Sequence, residues 1–242
     1  MTQNDRIYSL PLNRVGDFAF DDAVAAVFPD MIRRSVPGYA TMLSVIGQCG
    51  ARFARPETEI YDLGCSLGAS TLVMREHVPT SCVIRAVDNS AAMLNRFREH
   101  LKTLPENGCP VEVCEADVRT FPIRNASLVV LNLTLQFIDP AERYDLLQRI
   151  AAGMIPGGAL VLSEKISFES DDCRELMTEF HHEFKRAHGY SELEIAQKRM
   201  AIENRLRPEP ISVHTERLKR AGFETVCPWF QCFNFASILA VR

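Results

Sequence analysis

The chain predicts a doubly wound, Rossmann-like α/β fold: a mostly parallel seven-stranded sheet that closes with a C-terminal antiparallel hairpin. Three observations carry this reading. A short apolar strand, Ile60 to Leu63, runs into the turn Gly64-Cys65-Ser66-Leu67-Gly68 and then into a helix that opens near Ser70. The next apolar run, Cys82 to Val87, ends in an acid, Asp88, twenty residues beyond Gly68. Apolar runs then keep alternating with amphipathic ones, the pattern of parallel strands joined by crossover helices.

Residues 21–34 and 39–54 have helical periodicity and are separated by Ser35-Val36-Pro37-Gly38, a strong breaker. They make residues 1–58 a helical N-terminal cover. Strands are expected at 60–63, 82–87, 111–115, 127–132 and 158–164, with helices between them at 70–77, 90–103 and 140–152. Pro156-Gly157-Gly158 punctuates the approach to the fifth strand. A polar, helical insertion follows over 166–206, then a helix at 212–221. The runs 223–230 and 233–241 are close enough to pair as a hairpin. No internal repeat, low-complexity stretch or Gly/Ser linker interrupts the sequence, so 1–242 reads as a single domain.

Three readings compete for the glycine turn. A dinucleotide site wants G-x-G-x-x-G/A, but Ser66 stands where the glycine that admits the pyrophosphate belongs. The string Gly64-x-Ser66-x-Gly68 also spells a hydrolase nucleophile elbow. That motif needs oxyanion donors from an earlier strand and loop, and residues 1–58 offer no convincing strand. The third reading is S-adenosylmethionine, whose loop follows an acid, here Asp62, and holds no pyrophosphate. In each nucleoside reading the glycines let the backbone approach the ligand, and Asp88 takes the ribose hydroxyls. Five parallel strands ending in a hairpin differ from a dinucleotide fold and favour S-adenosylmethionine.

Composition narrows the class. Of 242 residues, 47% are apolar and 24% charged, as in soluble globular proteins. A net charge of −4 argues against broad, direct nucleic-acid binding. The N-terminus shows no signal-peptide pattern, and no run approaches a membrane span, so a cytoplasmic protein is expected. The eight cysteines are scattered without C-x-x-C, which supports neither zinc nor a disulfide framework. His181-His182-Glu183 with His188 lacks the H-E-x-x-H spacing, and no metal is expected.

Further polar residues fall at the carboxyl ends of the strands, where ligands bind in open α/β sheets. Asp117, after the third strand, can accept from an adenine amino group while Val118 packs the ring. A turn cap is its other reading. Asn132 ends the buried run Leu128–Asn132 and needs a partner there. Tyr39, just past the Pro-Gly breaker, either covers the sulfonium end of the ligand or packs at a helix start. Arg199 in the insertion reads by pattern as an exposed surface arginine, although an arginine can clamp a carboxylate through two parallel hydrogen bonds. The aromatic tail Trp229–Phe235 reads first as sheet core and second as a pocket or subunit contact.

Longer strings resemble a known family. Val27-Phe-Pro-Asp-Met31, Arg34-Ser-Val-Pro-Gly-Tyr39, Tyr61-Asp-Leu-Gly-Cys-Ser-Leu-Gly68, Thr134-Leu-Gln-Phe137, Leu162-Ser-Glu-Lys165, Gly189-Tyr-Ser-Glu-Leu-Glu194, Gln197-Lys-Arg199 and Trp229–Phe235 resemble the bacterial carboxy-S-adenosylmethionine synthases. The resemblance spans nearly the whole chain. It implies a class I methyltransferase fold that does not methylate. Such enzymes convert S-adenosylmethionine and prephenate to carboxy-S-adenosylmethionine and phenylpyruvate. The product supplies a partner enzyme that carboxymethylates a tRNA wobble uridine. By the same resemblance Tyr39, Gly64, Cys65, Ser66, Asp88, Asn89, Asp117, Val118 and Asn132 contact the cofactor, Arg199 holds the new carboxylate, and the protein is a homodimer. Two alternatives remain open: a methyltransferase acting on a small molecule or tRNA, and a non-catalytic S-adenosylmethionine-binding protein.

Overall fold

A computed structural model describes residues 4–203 and 205–242. Helices α1 (Asp22–Ser35) and α2 (Tyr39–Phe53) lead into β1 (Glu59–Leu63), α3 (Ala69–Arg75), β2 (Val83–Asp88), α4 (Ala91–Leu101), β3 (Val111–Glu115) and β4 (Ala126–Asn132). After a short 3-10 turn at Leu135–Phe137 come α5 (Pro140–Gly153), β5 (Met154–Lys165), α6 (Asp171–Ala187), α7 (Glu192–Glu203), α8 (Ile211–Arg220), β6 (Thr225–Cys232) and β7 (Phe235–Val241). The seven strands pair in the order β3-β2-β1-β4-β5-β7-β6. The first five are parallel; β7 runs antiparallel between β5 and β6.

Strand β4 shows why the sequence folds this way. Its residues pair on both sides, with β1 and β5, so Ala126–Leu131 is buried throughout and is apolar except for Ser127, whose hydroxyl pairs with that of Thr58 at 2.6 Å. Period-two alternation then divides it. Leu128 and Val130 face α2 and α3 with Ile46, Ile60 and Met74. Val129 and Leu131 face α5 and α8 with Leu146, Ile150 and Leu218. The open sheet is thus covered on both faces, and the carboxyl ends of β1 to β5 meet along one edge.

Two of the differences from the expected boundaries have a clear structural cause. β5 begins at Met154, before Pro156-Gly157-Gly158, because Met154 already pairs with Ala126 and the register jumps to Leu128–Ala159 across a bulge. The hairpin turns at Phe233–Asn234, so Gln231 and Cys232 extend β6; Phe233 takes the left-handed backbone the turn requires, at φ 49°. The insertion resolves into α6 and α7, separated by a turn in which Gly189 sits at φ 86°.

The N-terminal segment lies across α7 as a strap. Gln197 Nε2 donates to the carbonyls of Tyr8 and Leu10, both at 2.9 Å, and its Oε1 accepts from Leu12 N at 2.8 Å. Phe18 N donates to Ala201 O at 3.0 Å. Tyr190 donates its hydroxyl to Asp5, and the Arg34 guanidinium lies 3.8 Å from the centre of the Tyr190 ring. Tyr8, Phe18, Val24, Val27 and Met31 pack beneath this strap against Met93 and Ala201.

Candidate active site

The loop between β1 and α3 is pinned at both ends. Gly64 N and Cys65 N both donate to Val87 O, at 2.8 and 3.0 Å, and Gly68 N turns back to Cys65 O at 2.7 Å. Gly64, Ser66 and Gly68 all lie in the left-handed region, at φ 83°, 51° and 83°. A Cβ on Gly64 would stand 2.3 Å from Thr134 Oγ1, and one on Gly68 would stand 2.1 Å from the Phe97 ring. The glycines are therefore demanded by the protein's own packing and backbone, in addition to any ligand. Ser66 Oγ donates to the Met93 thioether at 3.4 Å, a partner that cannot act as a base.

Asp88, at the end of β2, is tied to this loop. Its Oδ2 accepts from Ser66 N and its Oδ1 from Ser90 N, both at 2.9 Å. Burial nevertheless pushes its pKa up, against those donors. Each oxygen keeps lone-pair capacity, and the neighbouring Asn89 is exposed. After β3, Asp117 is more committed than the sequence suggests. Arg119 donates to it through its backbone N (2.8 Å), Nε and Nη2 (2.6 Å), and holds the Asp117 carboxyl below its usual range. Arg119 also pairs with Glu142 at 3.0 Å and is itself 46% exposed, so it can swing away cheaply. Val118 packs partly buried against the core beside it.

At the end of β4, Asn132 Nδ2 donates to Ser70 Oγ at 3.1 Å, while its Oδ1 is buried with no partner. Such an orphan acceptor asks for a donor, which a ligand ammonium supplies. Tyr39 packs with Val36, Met42, Leu133, Phe230 and Phe235. Burial, reinforced by Asp62, raises its phenol, so the ring acts as a neutral wall.

Two buried acids lie beneath the strand edge, of which the sequence reading singled out only Asp62. Asp62 is buried beneath the loop, accepts from Thr71 Oγ1 at 2.6 Å, and has a pKa raised to about 6 by burial. Glu164 is buried at the end of β5 and accepts from Leu135 N (2.9 Å) and Gln136 N (2.7 Å), fixing the turn after Asn132. Its sequence signals are an acid at the end of a largely apolar strand and its place in the string Leu162–Lys165. Arg199 lies exposed on α7, and its positive charge acts on His182 and Lys185 of α6. The structure thus places the strand-end residues along one edge and puts Arg199 on the inserted helices. A separate groove of about 820 Å³, lined by Asp5, Arg34, His188 and Glu194 among others, includes none of the strand-end residues. Among the described residues no His, Cys, Asp or Glu group is arranged to hold a metal ion.

A glycine loop after β1, an acid closing β2 and an antiparallel β7 between β5 and β6 define the methyltransferase class of α/β fold rather than the dinucleotide-binding one. Residues 60–158 match the methyltransferase domain family. An O-methyltransferase family protein from Burkholderia thailandensis superposes with a TM-score of 0.63 at 20% identity, covering 95% of this chain and 65% of that one. Magnesium protoporphyrin IX methyltransferase from Synechocystis, solved with S-adenosylmethionine bound, gives 0.58 at 13% identity, covering 90% and 83%. The curated carboxy-S-adenosyl-L-methionine synthase of Vibrio atlanticus is 54% identical over 243 aligned positions, covering 100% of both chains. The chain belongs to the carboxy-S-adenosyl-L-methionine synthase family, transferase-type enzymes with a methyltransferase domain.

Proposed function

We propose that this protein converts S-adenosylmethionine and prephenate to carboxy-S-adenosylmethionine and phenylpyruvate. The observation that carries the reading is the Asn132 orphan oxygen at the strand edge, beside a loop whose backbone is already shaped and an acid, Asp88, with capacity to spare. Asp88 and Asn89 would hold the ribose, Asp117 and Val118 the adenine once Arg119 yields, and Tyr39 would wall the sulfonium end. Gly64, Cys65 and Ser66 would line the loop. Prephenate loses carbon dioxide and hydroxide as its ring aromatises. Hydroxide takes a proton from the sulfonium methyl to give water, and the methyl carbon then bonds to carbon dioxide. No protein base is needed for this; alignment and exclusion of water are.

Mass spectrometry after incubation with both substrates tests the reading. A nucleoside heavier than S-adenosylmethionine by one carbon dioxide is expected; S-adenosylhomocysteine alone would make the protein a methyltransferase, and unchanged ligand a binding protein. Asp88→Ala should weaken S-adenosylmethionine binding by about 1–3 kcal/mol, the loss expected when charge-assisted hydrogen bonds disappear. Unchanged affinity by titration calorimetry in a folded variant would remove Asp88 from the site.

The protein works in the cytoplasm as a single domain and a homodimer, and its product feeds a tRNA carboxymethyltransferase. Support for the dimer comes from Leu176 and Phe180 on α6 and Leu193 and Met200 on α7, which are 47%, 38%, 38% and 60% exposed. Sedimentation at micromolar concentration should give the mass of two chains, and a monomer there would count against it. Among the described residues no helix is long and apolar enough to cross a membrane.

A further inference from the structure

We propose that Lys185 is the positioning residue for the second substrate: its ammonium holds a carboxylate of the incoming dianion beyond the aromatic wall of the S-adenosylmethionine site. This rests on the reading of prephenate as carboxyl donor and names the part of the site that receives it.

Lys185 lies on α6 and is 9% exposed; its carbonyl accepts from His188 N and Tyr190 N, both at 3.1 Å, but its ammonium makes no hydrogen bond or ion pair among the described residues. A buried lysine in that condition is rare, because removing an ammonium from water without a partner is costly. Its surroundings deepen the problem. The charges acting on it are all positive: Lys165 at the end of β5, and Lys198 and Arg199 on α7. Burial together with those cations lowers its pKa to about 7. Lys198 is compensated, with Asp5 at 3.7 Å and Ser35 Oγ at 2.8 Å.

One helical turn back, His181 Nε2 is 2.8 Å from Ser35 O, which assigns the proton to that nitrogen. Burial and the neighbouring cations keep the His181 ring neutral, and those of His182 are displaced in the same direction. The His181 ring meets Phe235 edge-on at 5.2 Å, and Phe235 packs with Tyr39 and Leu133, the residue after Asn132. Through His181 and Phe235, α6 therefore packs onto the cluster that holds Tyr39 and the end of β4. Asn234, 5% exposed in the β6–β7 turn, sits 3.5 Å from His181 through its Nδ2 and leaves its Oδ1 buried without a partner. A lone ammonium and an orphan acceptor together match a ligand with a carboxylate and a hydroxyl, and prephenate carries both.

The test uses the full-length protein loaded with S-adenosylhomocysteine, which has no methyl to react, and titrates it with prephenate at pH 8 in two buffers of different ionisation enthalpy. Most Lys185 is neutral there before binding, so the anion should draw in close to one proton. Lys185→Met keeps the apolar stem. It should weaken prephenate binding at least tenfold at pH 6.5, abolish the proton uptake, and leave S-adenosylmethionine affinity within twofold. Its melting temperature at pH 6.5 should rise, because an unpaired buried cation is gone. In turnover, kcat/KM for prephenate should fall as pH rises through about 7 in the native protein and not in the variant, since that ratio reports groups of the free enzyme. Equal prephenate affinity in both proteins, or no binding to the native one, would overturn the assignment. So would loss of both ligands together with a lower melting temperature, which would make Lys185 structural. Prephenate binding that depends on Lys185, with no carboxylated product from the native protein, would support the site while sinking prephenate as carboxyl donor.

Discussion

Arg199→Ala is expected to cost the carboxylated product about 2–4 kcal/mol of affinity while leaving S-adenosylmethionine binding close to native. The two ligands differ only by a carboxylate on the former methyl carbon, so a residue that separates them must answer that charge. Arg199 stands on α7 in a neighbourhood already rich in positive charge, with Lys185 and His182 across on α6. Such a neighbourhood favours an anion over a neutral group. Arg199→Lys should recover little, because an ammonium cannot reproduce the two parallel hydrogen bonds of a guanidinium. Competition calorimetry with both ligands decides the matter. Equal loss for both would mean that Arg199 supports α7 or the amino-acid end of the ligand instead. Should sedimentation give the mass of two chains, mixing a chain carrying Arg199→Ala with one disabled at Asp88 would further show whether the arginine serves its own subunit or the neighbour.

Gly68→Ala should destabilise the fold by about 2–5 kcal/mol, combining roughly 1–2 for a left-handed backbone with roughly 1–3 for overpacking. The added methyl would lie 2.1–2.5 Å from three atoms of the Phe97 ring. Phe97 cannot turn aside, since it is fully buried among Cys65, Ala86 and Leu94. Urea unfolding is the appropriate measurement: the midpoint should fall with the slope unchanged. Phe97→Leu added to Gly68→Ala should recover part of the loss by relieving the clash alone. A loss below about 1 kcal/mol would show that the loop relaxes, and that the glycine is retained for the ligand's sake.

These residues also show what could be read from sequence. The strand–glycine–helix unit, Asp88 and the apolar run of β4 were legible because each rests on local chemistry: a period, a breaker, an acid at a strand end. Asn132 was legible for the same reason, a polar group where a buried run stops. Why Gly64 and Gly68 are glycine was only half legible, because Thr134 and Phe97 reach them through tertiary packing. The start of β5 was hidden by Pro156-Gly157-Gly158, which reads as a turn and is a bulge within paired strands. The burial of Lys185 was not legible, although Phe184-Lys-Arg186 is one of the strings that resemble the family. Beside Arg186 it looks like one more solvated pair, and only the seating of α6 buries the lysine and leaves the arginine exposed. For Arg199 only the resemblance proposes a role, since an exposed arginine has no local signature.

The strap across α7 sets an order of events during synthesis. Residues 8–12 find their partner, Gln197, 185–189 positions later in the chain. Until that helix has emerged, residues 8–12 lack their Gln197 bonds and Tyr8 and Phe18 lack Ala201, although Asp5 can already pair with Asp30 and Arg34. The five parallel strands and the glycine loop use only residues up to 165, so they can assemble earlier, at the smaller closure cost of nearer contacts. β7 and the strap follow at the end of translation, and with them α7 settles beside Lys185. The glycine loop thus has its backbone partners well before α7 has its strap, whereas Tyr39 must wait for Phe230 and Phe235 of the closing hairpin.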